Sequence, residues 1–398
     1  MTQEEMMKQS DQVICHTYAH TPRVLVRGEG CTVCDADGNE YTDFIAGIAV
    51  CGLGHCHPAV IKAISEQAQK LVHVSNLYYT EPQIKLAQWL VKHSFADKVF
   101  FGNSGAEANE AAIKIARKYF YDHDMPDRNR IIAMKQSFHG RTMTTLSATG
   151  QDKVKKGYSP IAEGFDFVEY NNIDALLDMI GPTTAAVLME PIQGEGGVLV
   201  PDVDYVKKVR QICDEKGLLL IFDEIQTGMG RTGKLFAYEH FGIVPDIMSL
   251  AKALGNGLPI GVMLTTEKVA ATFEPGSHGS TFGGGPLITA GALATVETIE
   301  KENLVIHAAE MGEYFKQKLV ELKKKVPYVI EVRGLGLLLA AELKDKGSDV
   351  VNACLEKGFL INCIQNKILR FVPPLIITKD QIDRLIAVLA DMLTGMEE

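Results

Sequence analysis

From about residue 95 to residue 265, short apolar runs alternate with amphipathic stretches, and glycine- or proline-rich turns separate them. Residues 99–101, 131–134, 185–189, 218–222, 246–250 and 261–264 are apolar at nearly every position. That is the pattern of strands buried on both faces. Between them, residues 106–119 place Ala108, Ala112, Ile115, Ala116 and Tyr119 on one helical face, and a helix over 203–216 stops at Gly217, a C-cap position. Strand, loop and helix in alternation predict an α/β fold with a mostly parallel, doubly wound sheet. The flanks read differently. Residues 23–27 and 31–34 alternate as strands, Asp35-Ala36-Asp37-Gly38 is a turn, and a strand resumes at 40–44, giving an antiparallel meander. A glycine-rich loop over 47–58 leads to a helix opened by Pro58. Past residue 290 the spacing predicts one long helix over 290–325 and strands at 329–332, 337–341, 360–363 and 368–371. A last helix over 379–396 is capped by Thr378 with Gln381. The expected organisation is a large central domain, 61–289, and a smaller α+β domain built from both ends, 1–60 and 290–398.

Charge narrows the function. The formal net charge is −10, so no basic footprint argues for nucleic acid or an anionic membrane. Met1 to Gln12 is polar and mixed in charge, unlike a signal or transit peptide, and no apolar run is long enough to cross a bilayer. The cytoplasm is the expected compartment. The eight cysteines are scattered rather than set as a disulfide framework. Cys31-x-x-Cys34, with Cys51 and His55-Cys56-His57 downstream, invites a zinc reading. Strand positions three apart point to opposite faces, however, and no second close pair completes a ligand set, so no metal is expected.

In an open parallel sheet, ligands gather at the carboxyl ends of the strands. The run ending at Leu250 delivers Lys252 into Ala253-Leu254-Gly255-Asn256-Gly257, where rigid backbone meets a flexible turn. Such a lysine suits a reactive amine, although alone it reads more readily as a solvated strand end. The 99–101 strand delivers Gly102-Asn103-Ser104-Gly105-Ala106-Glu107 and then a helix, a cradle for phosphate or an ordinary capped helix. The 131–134 strand delivers Phe138 and Arg141, an aromatic face and a carboxylate grip. The 185–189 strand delivers Glu195 among glycines, and the 218–222 strand delivers Asp223, a buried carboxylate that needs a cationic partner. A lysine, a strand-end aspartate, an aromatic and a phosphate cradle together match the needs of pyridoxal 5'-phosphate. Gly228-Met229-Gly230-Arg231-Thr232-Gly233 also satisfies G-x-G-x-x-G, the mark of an NAD-dependent dehydrogenase. It lies beyond the turn after its strand and opens no long apolar helix, which counts against a dinucleotide site.

Several motifs run nearly end to end: 73–82 (HVSNLYYTEP), 103–112 (NSGAEANEAA), 137–142 (SFHGRT), 190–197 (EPIQGEGG), 222–233 (FDEIQTGMGRTG) and 278–284 (HGSTFGG). Through them the chain resembles the class III, fold type I, pyridoxal-phosphate aminotransferases. The resemblance implies that Lys252 is the Schiff-base lysine and proton carrier and that Asp223 pairs with the ring nitrogen. It implies that Gln226 reaches the ring hydroxyl within a block of cofactor contacts Asp223-Glu224-Ile225-Gln226. Phe138 is expected to stack on the ring, and Gly105 and Ala106 to bind its phosphate. Thr281 is expected to bind the phosphate of a neighbouring subunit's cofactor, hence a homodimer with active sites at the interface. Arg141, with Ser280 nearby, is expected to hold the donor's α-carboxylate. Arg370 is expected to hold that of glutamate, with Glu195 masking it while the amine donor is bound. The implied reaction moves the terminal amine of N2-acetylornithine to 2-oxoglutarate, a step of arginine biosynthesis; ornithine, succinylornithine and 4-aminobutyrate remain alternative donors. The chain departs from the family at Gly285, usually asparagine, and at Gly255-Asn256-Gly257, where an all-glycine version is common.

Overall fold

The computed structural model describes residues 1–395. Its centre is a seven-stranded sheet in the order Lys98–Gly102, Gly261–Thr265, Ile247–Leu250, Leu219–Asp223, Thr184–Met189, Arg130–Met134 and Phe165–Val168. Strands Ile247–Leu250, Leu219–Asp223, Thr184–Met189, Arg130–Met134 and Phe165–Val168 pair in parallel. Gly261–Thr265 runs antiparallel to both its neighbours, where the sequence pattern suggested a further parallel strand. The short turn carrying Lys252 leaves no room for the crossover a parallel strand needs, so the chain doubles straight back. Phe165–Val168, half-buried at the sheet edge, has too weak an apolar run to be legible.

Helices flank the sheet. Ala108, Ala111, Ala112 and Ala116 of helix Gly105–Asp122 are fully buried, so small side chains bring that helix close to the strands. Helix Val203–Lys216 ends at Gly217 in the left-handed conformation, as expected. The single helix expected over 290–325 is two, Pro286–Lys301 and Leu304–Lys325, broken where Asn303 takes φ 53°.

The chain ends build two smaller sheets. Leu25–Glu29, Thr32–Asp35 and Glu40–Asp43 form the antiparallel meander, and Phe359–Leu360 joins it in parallel beside Glu40–Asp43. Val329–Leu335, Leu338–Leu343, Ile368–Phe371 and Asn362–Ile364 form an antiparallel sheet. One apolar cluster, including Phe44, Phe101, Phe236, Leu254, Phe315 and Phe371, joins these sheets to the central one. Helices Gln3–Val13, Glu81–His93, Ile173–Met179 and Gly347–Glu356 also occur. The first has no buried residue and so no stripe to announce it. Among the described residues no helix is long and apolar enough to cross a membrane.

Candidate active site

The carboxyl ends of the parallel strands open onto a cavity of about 490 Å³. Lys252 lines it, two residues beyond strand Ile247–Leu250. The lysine has φ 45°, a left-handed conformation that costs about 1–3 kcal/mol for a residue with a side chain and is tolerated mainly at functional sites. Burial pulls its ammonium below the ordinary lysine value; Glu195, Asp223 and Glu190 oppose this and Arg370 adds to it. Asn256, the departure in the lysine loop, fastens that loop. Its Oδ1 accepts from Leu53 N–H at 2.8 Å and its Nδ2 donates to the Gly54 carbonyl at 3.2 Å.

Asp223 ends strand Leu219–Asp223 and is 3% exposed. Its Oδ2 is 2.7 Å from His139 Nδ1 and accepts from Asn109 Nδ2 at 2.8 Å; Oδ1 accepts from Ile225 N–H at 3.1 Å. Among the described residues no lysine or arginine makes an ion pair with it. A buried carboxylate on a cavity wall with only such donors is set for a cationic ligand atom. Asp223 and Ile225 line the cavity, while Glu224 between them faces away. The carboxylate of Glu224 accepts from Ala237 and Tyr238 N–H, and burial raises it to about 7. The side chain secures the following turn.

Helix Gly105–Asp122 starts at the cavity. Ser104 Oγ accepts the Glu107 N–H at 3.2 Å, while the first-turn N–H groups of Gly105 and Ala106 have no place in the helical ladder. A Cβ on Gly105 would stand 2.7 Å from Ile225 Cδ1, so glycine lets the cradle close against Ile225. Phe138 also lines the cavity, its N–H donating to Glu190 at 3.1 Å, and the Arg141 guanidinium lies 5.4 Å from its ring centre. Glu190 is buried; desolvation first, and then the charge of Asp223, raises its carboxyl well above the ordinary range.

Glu195 also lines the cavity and is ion-paired to Arg370, which is 1% exposed on strand Ile368–Phe371. Burial raises the Glu195 carboxyl, but the charge and hydrogen bond of Arg370, with Lys252 and Gln226, hold it below the ordinary range. Gln226 Nε2 donates to Glu195 at 3.4 Å. A Cβ on Gly194 would overlap the Gln226 amide.

Ser280 and Thr281 lie outside the cavity. Ser280 Oγ accepts from Gly283 N–H at 2.9 Å and from Asn103 Nδ2 at 3.2 Å, while Thr281 is exposed beside Phe282. Gly285 starts helix Pro286–Lys301 with no side-chain cap. The glycines of 228–233 form no nucleotide cradle. A Cβ on Gly228 would meet Leu250 at 2.7 Å, one on Gly233 would meet Ala309 at 2.9 Å, and Arg231 between them is fully buried, bonded to the Leu337 and Pro373 carbonyls.

Asn109, His139 and Glu190 were given no role from the sequence. Asn109 carried a signal, being a polar residue on the alanine face of a buried helix. His139 shows none beyond adjacency to Phe138, and Glu190 none beyond ending the strand that leads to Glu195. The arrangement fits pyridoxal phosphate: free N–H groups for its phosphate, an anion without a cation for its ring nitrogen, an aromatic for its face and an amine with lowered basicity for its aldehyde.

A model of the aminotransferase class-III family matches residues 13–393. The acetylornithine aminotransferase of Methanocaldococcus jannaschii is 51% identical over the full length of both chains, and that of Caldanaerobacter subterraneus is 50% identical over 98% of this chain and 99% of its own. Among solved structures, the ornithine aminotransferase of Toxoplasma gondii superposes with a TM-score of 0.96 at 36% identity, covering 100% of this chain and 96% of that one. The acetylornithine aminotransferase of Elizabethkingia anophelis superposes with a TM-score of 0.89 at 33% identity, covering 99% and 100%. With full-length sequence relatives and a common fold type I architecture, this chain belongs to the class-III aminotransferases.

Proposed function

We propose that the protein transfers the terminal amino group of N2-acetylornithine to 2-oxoglutarate, giving N-acetylglutamate 5-semialdehyde and glutamate. The observation that carries the two-substrate reading is the Glu195–Arg370 pair. Arg370 is a buried cation, whereas the Glu195 side chain is 31% exposed on the cavity wall. Paired, the two are neutral and leave room for an amine arriving by its side-chain end. Parted, Arg370 can grip the α-carboxylate of glutamate bidentately. One cavity then serves two substrates that present different groups. The names and full-length identity of the acetylornithine aminotransferases favour the acetylated donor over ornithine, succinylornithine or 4-aminobutyrate.

Bound pyridoxal phosphate would supply a protonated ring that takes up the electron pair left when a proton leaves the carbon bearing the amine. Gly105 and Ala106 would offer backbone N–H groups to its phosphate, Phe138 and Ile225 would pack against its ring, and Gln226 would address its hydroxyl. Asp223, as the anion, would accept a hydrogen bond from the protonated ring nitrogen. Lys252 Nζ is the amine that would hold the group by its aldehyde carbon and that a donor amine would replace. The freed amine then removes the substrate proton and returns it one atom away. Its burial-lowered basicity leaves it more often unprotonated and able to do so. Arg141 holds the donor's α-carboxylate, and Ser280, outside its own chain's cavity beside Thr281, would join it only from a second copy. Thr281, exposed and outside its own cavity, reaches the cofactor of a second copy, so the working unit is a homodimer. The segments 1–60 and 290–398 act together as the smaller domain that carries Arg370.

Comparing kcat/KM for N2-acetylornithine with that for free ornithine tests the substrate; a clear preference for ornithine overturns it. A visible absorption band that shifts on adding the amine alone tests the cofactor. Lys252→Ala should lose both the band and turnover, and a variant that still cycles sinks the mechanism.

A further inference from the structure

We infer that Asn109 is a positioning residue that keeps the proton on the cofactor's ring nitrogen by holding Asp223 as an anion in one orientation; this rests on the pyridoxal-phosphate reading above.

Asn109 lies in helix Gly105–Asp122, one turn beyond the phosphate cradle, and is fully buried. All its side-chain hydrogen-bonding groups are engaged. Nδ2 donates to Asp223 Oδ2 at 2.8 Å and to the His139 carbonyl at 2.8 Å, and Oδ1 accepts from Ser249 Oγ at 2.6 Å. The orientation of the amide is not ambiguous, because a carboxylate oxygen and a carbonyl both require a donor. Ser249 pairs with Asp223 across neighbouring strands and is itself fully buried. One side chain thus ties together the helix of the cradle, the loop that carries Phe138, the strand that ends in Asp223 and the strand that leads to Lys252.

The consequence for Asp223 is specific. Oδ2 receives two donors, Asn109 and His139, and has no acceptor capacity to spare. Oδ1 has only the 3.1 Å bond from Ile225 N–H, so it is the oxygen left for the ring nitrogen. In a buried site, donors to a carboxylate favour its anion. An anion relieved by two donors is the weaker base of the carboxylate–pyridine pair, and the shared proton rests on nitrogen. Remove one donor and the proton moves toward the carboxylate, leaving a neutral ring that withdraws electrons less well.

The test uses Asn109→Leu, which keeps the branched shape and removes the donor and the acceptor together. Wild type and N109L are loaded with pyridoxal phosphate carrying 15N in the ring, and the nitrogen shift is read at neutral pH. The wild type should give the protonated-ring signal. N109L should shift toward the neutral-ring signal and lose about tenfold in the rate of the amine half-reaction, the scale of one hydrogen bond to a charged group, with KM for the amine within threefold. A merely structural role would lower thermal stability and leave the nitrogen shift in place, so an unmoved shift in a folded N109L overturns the inference. If N109L does not fold, Ser249→Ala decides. Releasing the amide should move the shift the same way by a smaller amount, and no movement overturns the inference. If the wild-type protein takes up no pyridoxal phosphate, the functional reading itself has failed and this inference goes with it. Uptake by the wild type together with an unmoved shift in the variant removes Asn109 alone.

Discussion

Replacing Glu195 by glutamine keeps the shape of the side chain and removes its charge. In the wild type, glutamate can reach Arg370 only by displacing a carboxylate that is already ion-paired to it. The guanidinium stays charged in E195Q, so what is lost is the attraction of the second charge, about 1 kcal/mol at 4 Å in water and more where water is excluded. An amide in place of Glu195 is therefore about 1–1.5 kcal/mol easier to displace, and glutamate should bind about five- to tenfold more tightly. The amine donor meets the opposite situation. Arg370 is 1% exposed and, with Glu195 neutral, its charge is uncompensated while a ligand without a carboxylate at that end occupies the cavity. A loss of about tenfold in the donor half-reaction follows. The ratio of the two half-reactions should thus move about 50–100-fold in favour of glutamate. Each half-reaction is followed separately by single-turnover absorbance, with glutamate or N2-acetylornithine as the only substrate. Equal losses with both substrates would refute the gate, because they would mean that Glu195 supports the site without discriminating between its occupants.

Gly194→Ala should weaken cofactor binding at least tenfold, because the new methyl meets the Gln226 amide; equilibrium titration of cofactor-free protein reads this directly. Thr281→Ala should weaken cofactor retention, and mixing it with Lys252→Ala should restore one sound site per heterodimer if Thr281 serves the neighbouring copy; activity of the mixed species measured after subunit exchange decides. Glu224, raised to about 7 by burial, binds a proton in the folded state that the unfolded chain, with its carboxyl near 4.5, has released. Between those two values the folded state carries more protons, so its contribution to stability falls as pH rises, by about 1.4 kcal/mol per pH unit. Denaturant melts of wild type against Glu224→Gln from pH 4.5 to 7.5 should show the difference shrinking across that window; a constant difference rejects the assignment.

Periodicity exposed the central sheet because its strands are buried on both faces, and a run such as Ala185-Ala186-Val187-Leu188-Met189 has no other economical reading. It failed where burial is one-sided or the constraint is geometric. Phe165–Val168 sits half-exposed at an edge, so its pattern is diluted. The direction of Gly261–Thr265 is set by the shortness of the Lys252 turn rather than by composition. The break at Asn303 is a single left-handed residue in an otherwise helical spacing, a conformation asparagine permits without requiring it.

The site divides along the same physical line. Lys252, Asp223, Phe138, Glu195 and the Gly105 cradle each end or follow a strand, and strand ends are legible once the strands are. What the sequence could not reveal is which oxygen, face or neighbour each group uses, because those relations join segments far apart in the chain. Asn109 meets Asp223 across 114 positions, and Arg370 meets Glu195 across 175. Glu224 illustrates the limit at short range. It adjoins Asp223 in the same motif, yet it lies past the end of the strand, and its carboxylate accepts from the backbone N–H groups of Ala237 and Tyr238 instead of lining the cavity. A motif therefore identifies the strand end that faces a ligand, while the path of the turn beyond that end decides which of its side chains line the cavity.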